Sequence, residues 1–145
     1  MSVSHDKSYY GEPGYGLTRR VEGLGFADAV AAAKSELAKE GFGVLTEIDV
    51  RATFKKKLDV DFRNYVILGA CNPPYAHRAL TTEPGIGLLL PCNVVVTEED
   101  DGTAVVSVLD PEKQFMLVGR EDVAPLAREV GEKLRRALSS IGTAR

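Results

Sequence analysis

YVILGACNPPYAHRALTTEPGIGLLLPCNVVV, running from Tyr65 to Val96, is the stretch whose reading decides the fold. It reads as strand, helix, strand. The run from Phe62 to Ala70 is apolar and rich in aromatic and β-branched residues, the composition of a buried strand. Asn72 has a side chain able to cap a helix, and Pro73 suits the first helical position, where a missing N–H is not needed. A helix therefore runs from Asn72 to Thr82 and stops ahead of Pro84-Gly85. Gly87 to Glu98 is the next strand. Pro91 inside it removes a ladder hydrogen bond, so the strand is an edge there or carries a bulge. Each strand carries a Cys-Asn pair, Cys71-Asn72 and Cys92-Asn93.

Working outward, Tyr15, Leu17, Arg19 and Val21 alternate with Gly16, Thr18, Arg20 and Glu22, the pattern of a half-buried strand. Phe26, Val30, Ala33 and Leu37 then share one helical face, and Gly41 is placed to end that helix. Gly43 to Val50 alternates again as a strand, and Arg51 to Leu58 reads as a short helix. On the other side, Asp101-Gly102 is a hairpin turn signal, followed by a strand from Thr103 to Leu109. Gln114 to Val118 reads as a sixth short strand or a turn.

The last element is amphipathic. Val123, Leu126, Val130, Leu134, Ala137, Leu138 and Ile141 mark one face between Asp122 and Ile141, and Pro125 falls in the first turn, where it is tolerated. The sum predicts a two-layer α+β domain. Its sheet of five to six strands is mostly antiparallel, with helices on one face and a long C-terminal helix. Residues 1–14, polar and containing His5, read as a flexible tail, and 15–145 as a single domain.

The composition fits that picture. A chain of 145 residues can bury a core without disulfide staples, and its 44% hydrophobic and 27% charged residues are those of an ordinary globular protein. The net charge of -3 argues against a nucleic-acid surface. No apolar run is long enough to span a membrane, and the N-terminus has no secretory apolar core. Two cysteines do not make a disulfide framework, which points to the cytoplasm and to reduced thiols.

The chemistry-bearing residues are few. Cys71 precedes a helix start, where N–H groups and the helix dipole favour a thiolate. His77 lies in the second turn of that helix, Cys92 on the following strand, and Asn72 and Asn93 beside the two thiols. Three readings compete: a reactive or redox thiol pair, a metal or haem-like site using Cys71, His77 and Cys92, or two small buried hydrophobes. The metal reading has no C-x-x-C, no H-x-x-x-H and no fourth ligand, so no metal or cofactor is assigned.

Gly23-x-Gly25 before a helix, with Glu47 or Asp49 downstream, has the outline of a dinucleotide unit. Asp28 stands at its third glycine position, and a doubly wound pattern does not follow. Lys55-Lys56-Lys57 reads as a solvated face, as do Glu47 and Asp49. Nucleophile-elbow, P-loop and H-E-x-x-H signatures are absent, and no catalytic residue is assigned.

GFGVLTEIDV (residues 41–50), ILGACNP (67–73) and GLLLPCNVVV (87–96) resemble the bacterial and archaeal family named domain of unknown function 302. The resemblance covers roughly residues 15 to 141. It implies a compact two-layer α+β domain, often packed as a dimer, and no activity. Its most recognisable positions are Cys71, Asn72, Pro73, Pro91 and Cys92. The Gly-Leu-Gly before the first helix departs from an expected Ser or Asp cap.

The leading functional expectation is a non-enzymatic binding or interaction domain acting as a homodimer. Tyr65 and Ile67 would lie on the sheet face that no helix covers. The alternative is a thiol-dependent redox or small-ligand protein centred on Cys71, with Cys92 and His77 assisting.

Overall fold

A computed structural model describes residues 9–142. Five strands form one sheet in the order β1-β5-β4-β3-β2, each neighbour antiparallel. They are β1 (Gly16–Val21), β2 (Gly43–Asp49), β3 (Tyr65–Cys71), β4 (Cys92–Glu98) and β5 (Ala104–Leu109). The helices are α1 (Phe26–Lys39), α2 (Val50–Leu58), α3 (Pro73–Thr82), α4 (Pro111–Phe115) and α5 (Ala124–Ser140). The α+β architecture and the long C-terminal helix are those expected from the sequence.

The period-two pattern sorts the sheet into two faces. Val66, Leu68 and Ala70 of β3 pair across to Val96, Val94 and Cys92 of β4. Val96 and Val94 then pair with Val106 and Val108 of β5. All of these are buried, and they pack with Ala29, Ala33 and Leu37 of α1 and with Val130, Leu134 and Ala137 of α5. A second cluster lies beyond the end of the sheet. It joins Ala79 of α3, Ile86, Phe115 of α4, Val123, and Leu126 and Ala127 of α5.

Arg19, on the helix side of β1, ties α5 down. Its guanidinium donates to the carbonyls of Leu138 (3.0 Å), Ser139 (2.8 Å) and Ile141, groups a helix end leaves without partners.

Three expectations are corrected. Residues 114–118 are not a sixth strand. Asp110 caps α4 by accepting from the Glu112 N–H at 3.0 Å, and Pro111 opens that helix, so the segment stays helical through a 3₁₀ turn at Met116–Val118. The fourth strand begins at Cys92, not Gly87. Pro84–Leu89 form a 3₁₀ helix, and Pro91, joined by a cis peptide bond to Leu90, stands just outside the ladder, where it removes no hydrogen bond. The third strand begins at Tyr65, three residues later than the apolar run suggests. Phe62 stacks edge-on against Phe54 of α2 at 5.1 Å instead of entering the sheet.

The outer face is only partly open. Val105, Thr97 and Ser107 point away from the helices yet are buried. The described N-terminal residues approach there: the Tyr9 N–H donates to Glu99 (2.6 Å), Arg63 stacks on the Tyr9 ring at 3.4 Å, and Arg20 reaches the Gly11 carbonyl (3.4 Å). The β2–β3 half is barer. Ile48 pairs with Ile67, and Ile67 with Val95, a cross-strand apolar row in which Ile48 is 48% exposed. The tail expected over residues 1–14 lies outside the described residues up to residue 8.

Candidate functional site

The seam between the two apolar clusters holds a cavity of about 330 Å³. It sits at the end of the sheet where β3 runs out and β4 begins. Its walls come from both clusters: Phe42, Ala70, Cys92 and Val130 on one side, Ala79, Phe115 and Leu126 on the other.

Local sequence explains each wall. The β2–β3 register slips between Val44 and Thr46, which leaves Leu45 as an extra, unpaired residue. A bulge of this kind turns a side chain out of the ladder, and Leu45, 69% exposed, stands at the cavity rim. Gly69 lets Pro91 close down on β3, because a Cβ there would lie 2.8 Å from the proline ring. Leu80 of α3 forms the other part of the rim.

Asn72 does not use its side chain to cap α3, as the sequence suggested. It is buried, and its Nδ2 donates to the Glu40 carbonyl at 3.1 Å. The Glu40 carboxylate in turn accepts from Arg136 of α5 at 3.0 and 3.1 Å. Asn72 thus joins the end of α1 to the start of α3, with α5 held to the same residue. Gly41, at φ +89°, makes the tight turn that permits this approach.

Cys71 and Cys92 converge here. The register pairs Ala70 with Cys92, so Cys71 lies one residue beyond, and both residues line the cavity. Both are free; Cys71 is half-buried and Cys92 buried. Burial, with a smaller contribution from the neighbouring Cys71, pushes the Cys92 thiol up from its ordinary 9.0 to about 11. Asn72 and Pro91 join the two cysteines in the lining. His77 and Asn93 do not: both are exposed, His77 on the outer side of α3 and Asn93 on the outer face of β4. Among the described residues, no group of three His, Cys, Asp or Glu side chains could hold a metal ion.

The residues that sequence reasoning missed are the apolar ones. Leu45, Tyr75, Ala76, Leu80 and Leu90 carry no chemical signature, and only the folded seam brings them together.

The raised Cys92 thiol has two measurable consequences. Iodoacetamide at pH 8 should alkylate Cys92 in the native protein about a hundredfold more slowly than in the urea-unfolded chain. Equal rates would mean that the thiol is open to solvent. Stability should also depend on pH. The folded thiol titrates above the unfolded one, so its contribution is complete below about 9 and is lost as pH rises through about 11. Wild type should lose up to about 2–3 kcal/mol over that interval relative to Cys92→Ala, read by urea unfolding.

Fold and site together define a two-layer α+β domain built round an apolar pocket with two cysteines in its wall. The chain belongs to the family described as Domain of unknown function DUF302, which it matches over residues 17–141. It is similar to an uncharacterized protein of Aquifex aeolicus (strain VF5). The two are 28% identical over 111 residues, which is 77% of this chain and 70% of the relative. It is also similar to the crystal structure of an uncharacterized conserved DUF302 protein from Bacillus stearothermophilus, at TM-score 0.82 and 28% identity. That match covers 89% of this chain and 99% of the other. The two-layer fold is therefore the family's fold. Among the described residues, no helix is long and apolar enough to cross a membrane.

Proposed function

We propose that the protein is a non-enzymatic binding domain for a small apolar molecule, seated in the seam between the two clusters. One observation carries this reading: the cavity of about 330 Å³, lined almost wholly by apolar side chains and open past Leu45 and Leu80. Ligand sites begin at about this volume and have this kind of lining. An open apolar recess of this size leaves its lining facing water, so an occupant of matching shape gains both burial and dispersion contacts. Two free thiols suit a reducing compartment such as the cytoplasm.

The test is a titration with 1-anilinonaphthalene-8-sulfonate. Wild type should bind one dye saturably, and Ala76→Trp, which fills the cavity from α3, should abolish the signal while melting as a folded protein. Equal dye binding by the two proteins would place the dye elsewhere and sink the reading.

A second reading, self-association as a homodimer, is favoured by the Ile48–Ile67–Val95 row on the outer face. Exposed apolar surface of this kind is stabilised by a partner. Sedimentation of wild type should show a dimer that Ile67→Lys dissociates. A wild type that stays monomeric into the high micromolar range removes this reading.

A further inference from the structure

Two cysteines share the cavity, but only one is open. Cys92 is buried in the sheet side of the wall, and its raised titration keeps it protonated at neutral pH. Cys71 ends β3 at the point where the chain turns into α3, and it is partly exposed. Beside it the wall continues through Tyr75, Ala76, Ala79 and Leu80 of α3. Cys71, free and partly exposed, is thus part of the wall of an apolar cavity. A molecule held there by its hydrocarbon part can present a reactive carbon to the Cys71 sulfur.

We infer that the cavity captures apolar electrophiles, of the class of α,β-unsaturated carbonyl compounds with a hydrocarbon tail, by conjugate addition of the Cys71 thiol. This rests on the small-molecule reading of the same cavity and adds the chemical class of its occupant. The Cys71 Sγ electron pair attacks the β-carbon, and a carbon–sulfur bond forms. The π electrons of the double bond move to the α-carbon and carbonyl as an enolate. The proton lost by the thiol ends on the α-carbon. The product is a thioether in which every atom of both reactants is kept, and no oxidant or reductant is needed. The tail gains by leaving water, so capture discriminates by chain length. The nearby Cys92, buried and protonated, does not compete for the electrophile.

N-ethylmaleimide, N-butylmaleimide and N-octylmaleimide test this on the native full-length protein at pH 7. The labelled cysteine is read by mass spectrometry, and each rate is divided by that for glutathione. The normalised Cys71 rate should rise about tenfold or more from the ethyl to the octyl reagent, as each methylene buried adds to binding. It should saturate with reagent concentration and vanish in Cys71→Ser, with Cys92 unlabelled throughout. A normalised rate that is flat along the series overturns the proposal. Non-reactive N-octylsuccinimide separates the two ideas. If it displaces the bound dye while the Cys71 rate stays flat, capture is wrong and the binding reading stands. If it displaces nothing and the rate is flat, both are wrong.

Discussion

Phe42→Ala should lower the unfolding free energy by about 3–5 kcal/mol, the range for deleting a buried aromatic ring. Phe42 follows the turn at Gly41 and is 2% exposed, wedged between the end of α1 and the sheet. The ring also borders the cavity, so its removal enlarges that space. With about 5–15 kcal/mol typical of a domain, the variant should still fold, with a larger cavity. Urea unfolding gives the stability, and dye binding should survive. A loss below about 1 kcal/mol would show that the site closes up and that Phe42 is not a rigid wall.

Gly69→Val should cost about 3–5 kcal/mol. On local preference alone the change would help, because glycine weakens a strand interior and valine favours one. Contact decides the sign. A Cβ on Gly69 would lie 2.2 Å from Thr46 Oγ1 and 2.8 Å from Pro91 Cγ. Thr46 is exposed, and its hydroxyl can swing away at little cost. The Pro91 ring cannot, since its place is fixed by the entry into β4. Thr46→Ala on the Gly69→Val background should therefore recover only part of the loss. Full recovery would show that the threonine alone made the conflict, and a neutral Gly69→Val would show that Pro91 does not rest on β3.

The fold was legible where periodicity and burial agree. β1 alternates, α1 and α5 carry one apolar stripe each, and the Asp101-Gly102 turn joins β4 to β5 with Gly102 at φ +87°. The alternation expected of β2 is broken by the bulge at Leu45, which leaves Val44 opposite buried Ala70 and Ile48 opposite Ile67 on the other face. Reading failed where local and tertiary preferences diverge. Gln114 to Val118 has the apolar character of a strand, but the Asp110 cap and Pro111 commit the backbone to a helix first. Asn72 has the chemistry of a cap, but a carbonyl 32 residues earlier in the chain takes its amide.

At the site, Cys71, Asn72, Pro91 and Cys92 were visible as a cluster of unusual residues, and they do come together. Their meeting on an apolar cavity was not visible, because its volume is set by packing between two clusters far apart in sequence. His77 and Asn93 were included for chemistry and adjacency. Helical phase turns His77 to solvent, and strand parity puts Asn93 on the outer face, away from Cys92.

The contacts of Arg19 and Glu99 bear on where the protein can be labelled. Tyr9 rests against Glu99 beside the β4–β5 turn, and Gly142 lies against Val21 at the last position of β1. Both are at the end of the sheet opposite to Cys71 and Cys92. A fluorophore or spin label carried at Tyr9 or at Gly142 therefore sits at the far pole from the cavity rim at Leu45 and Leu80, and it reports on the molecule without obstructing that rim.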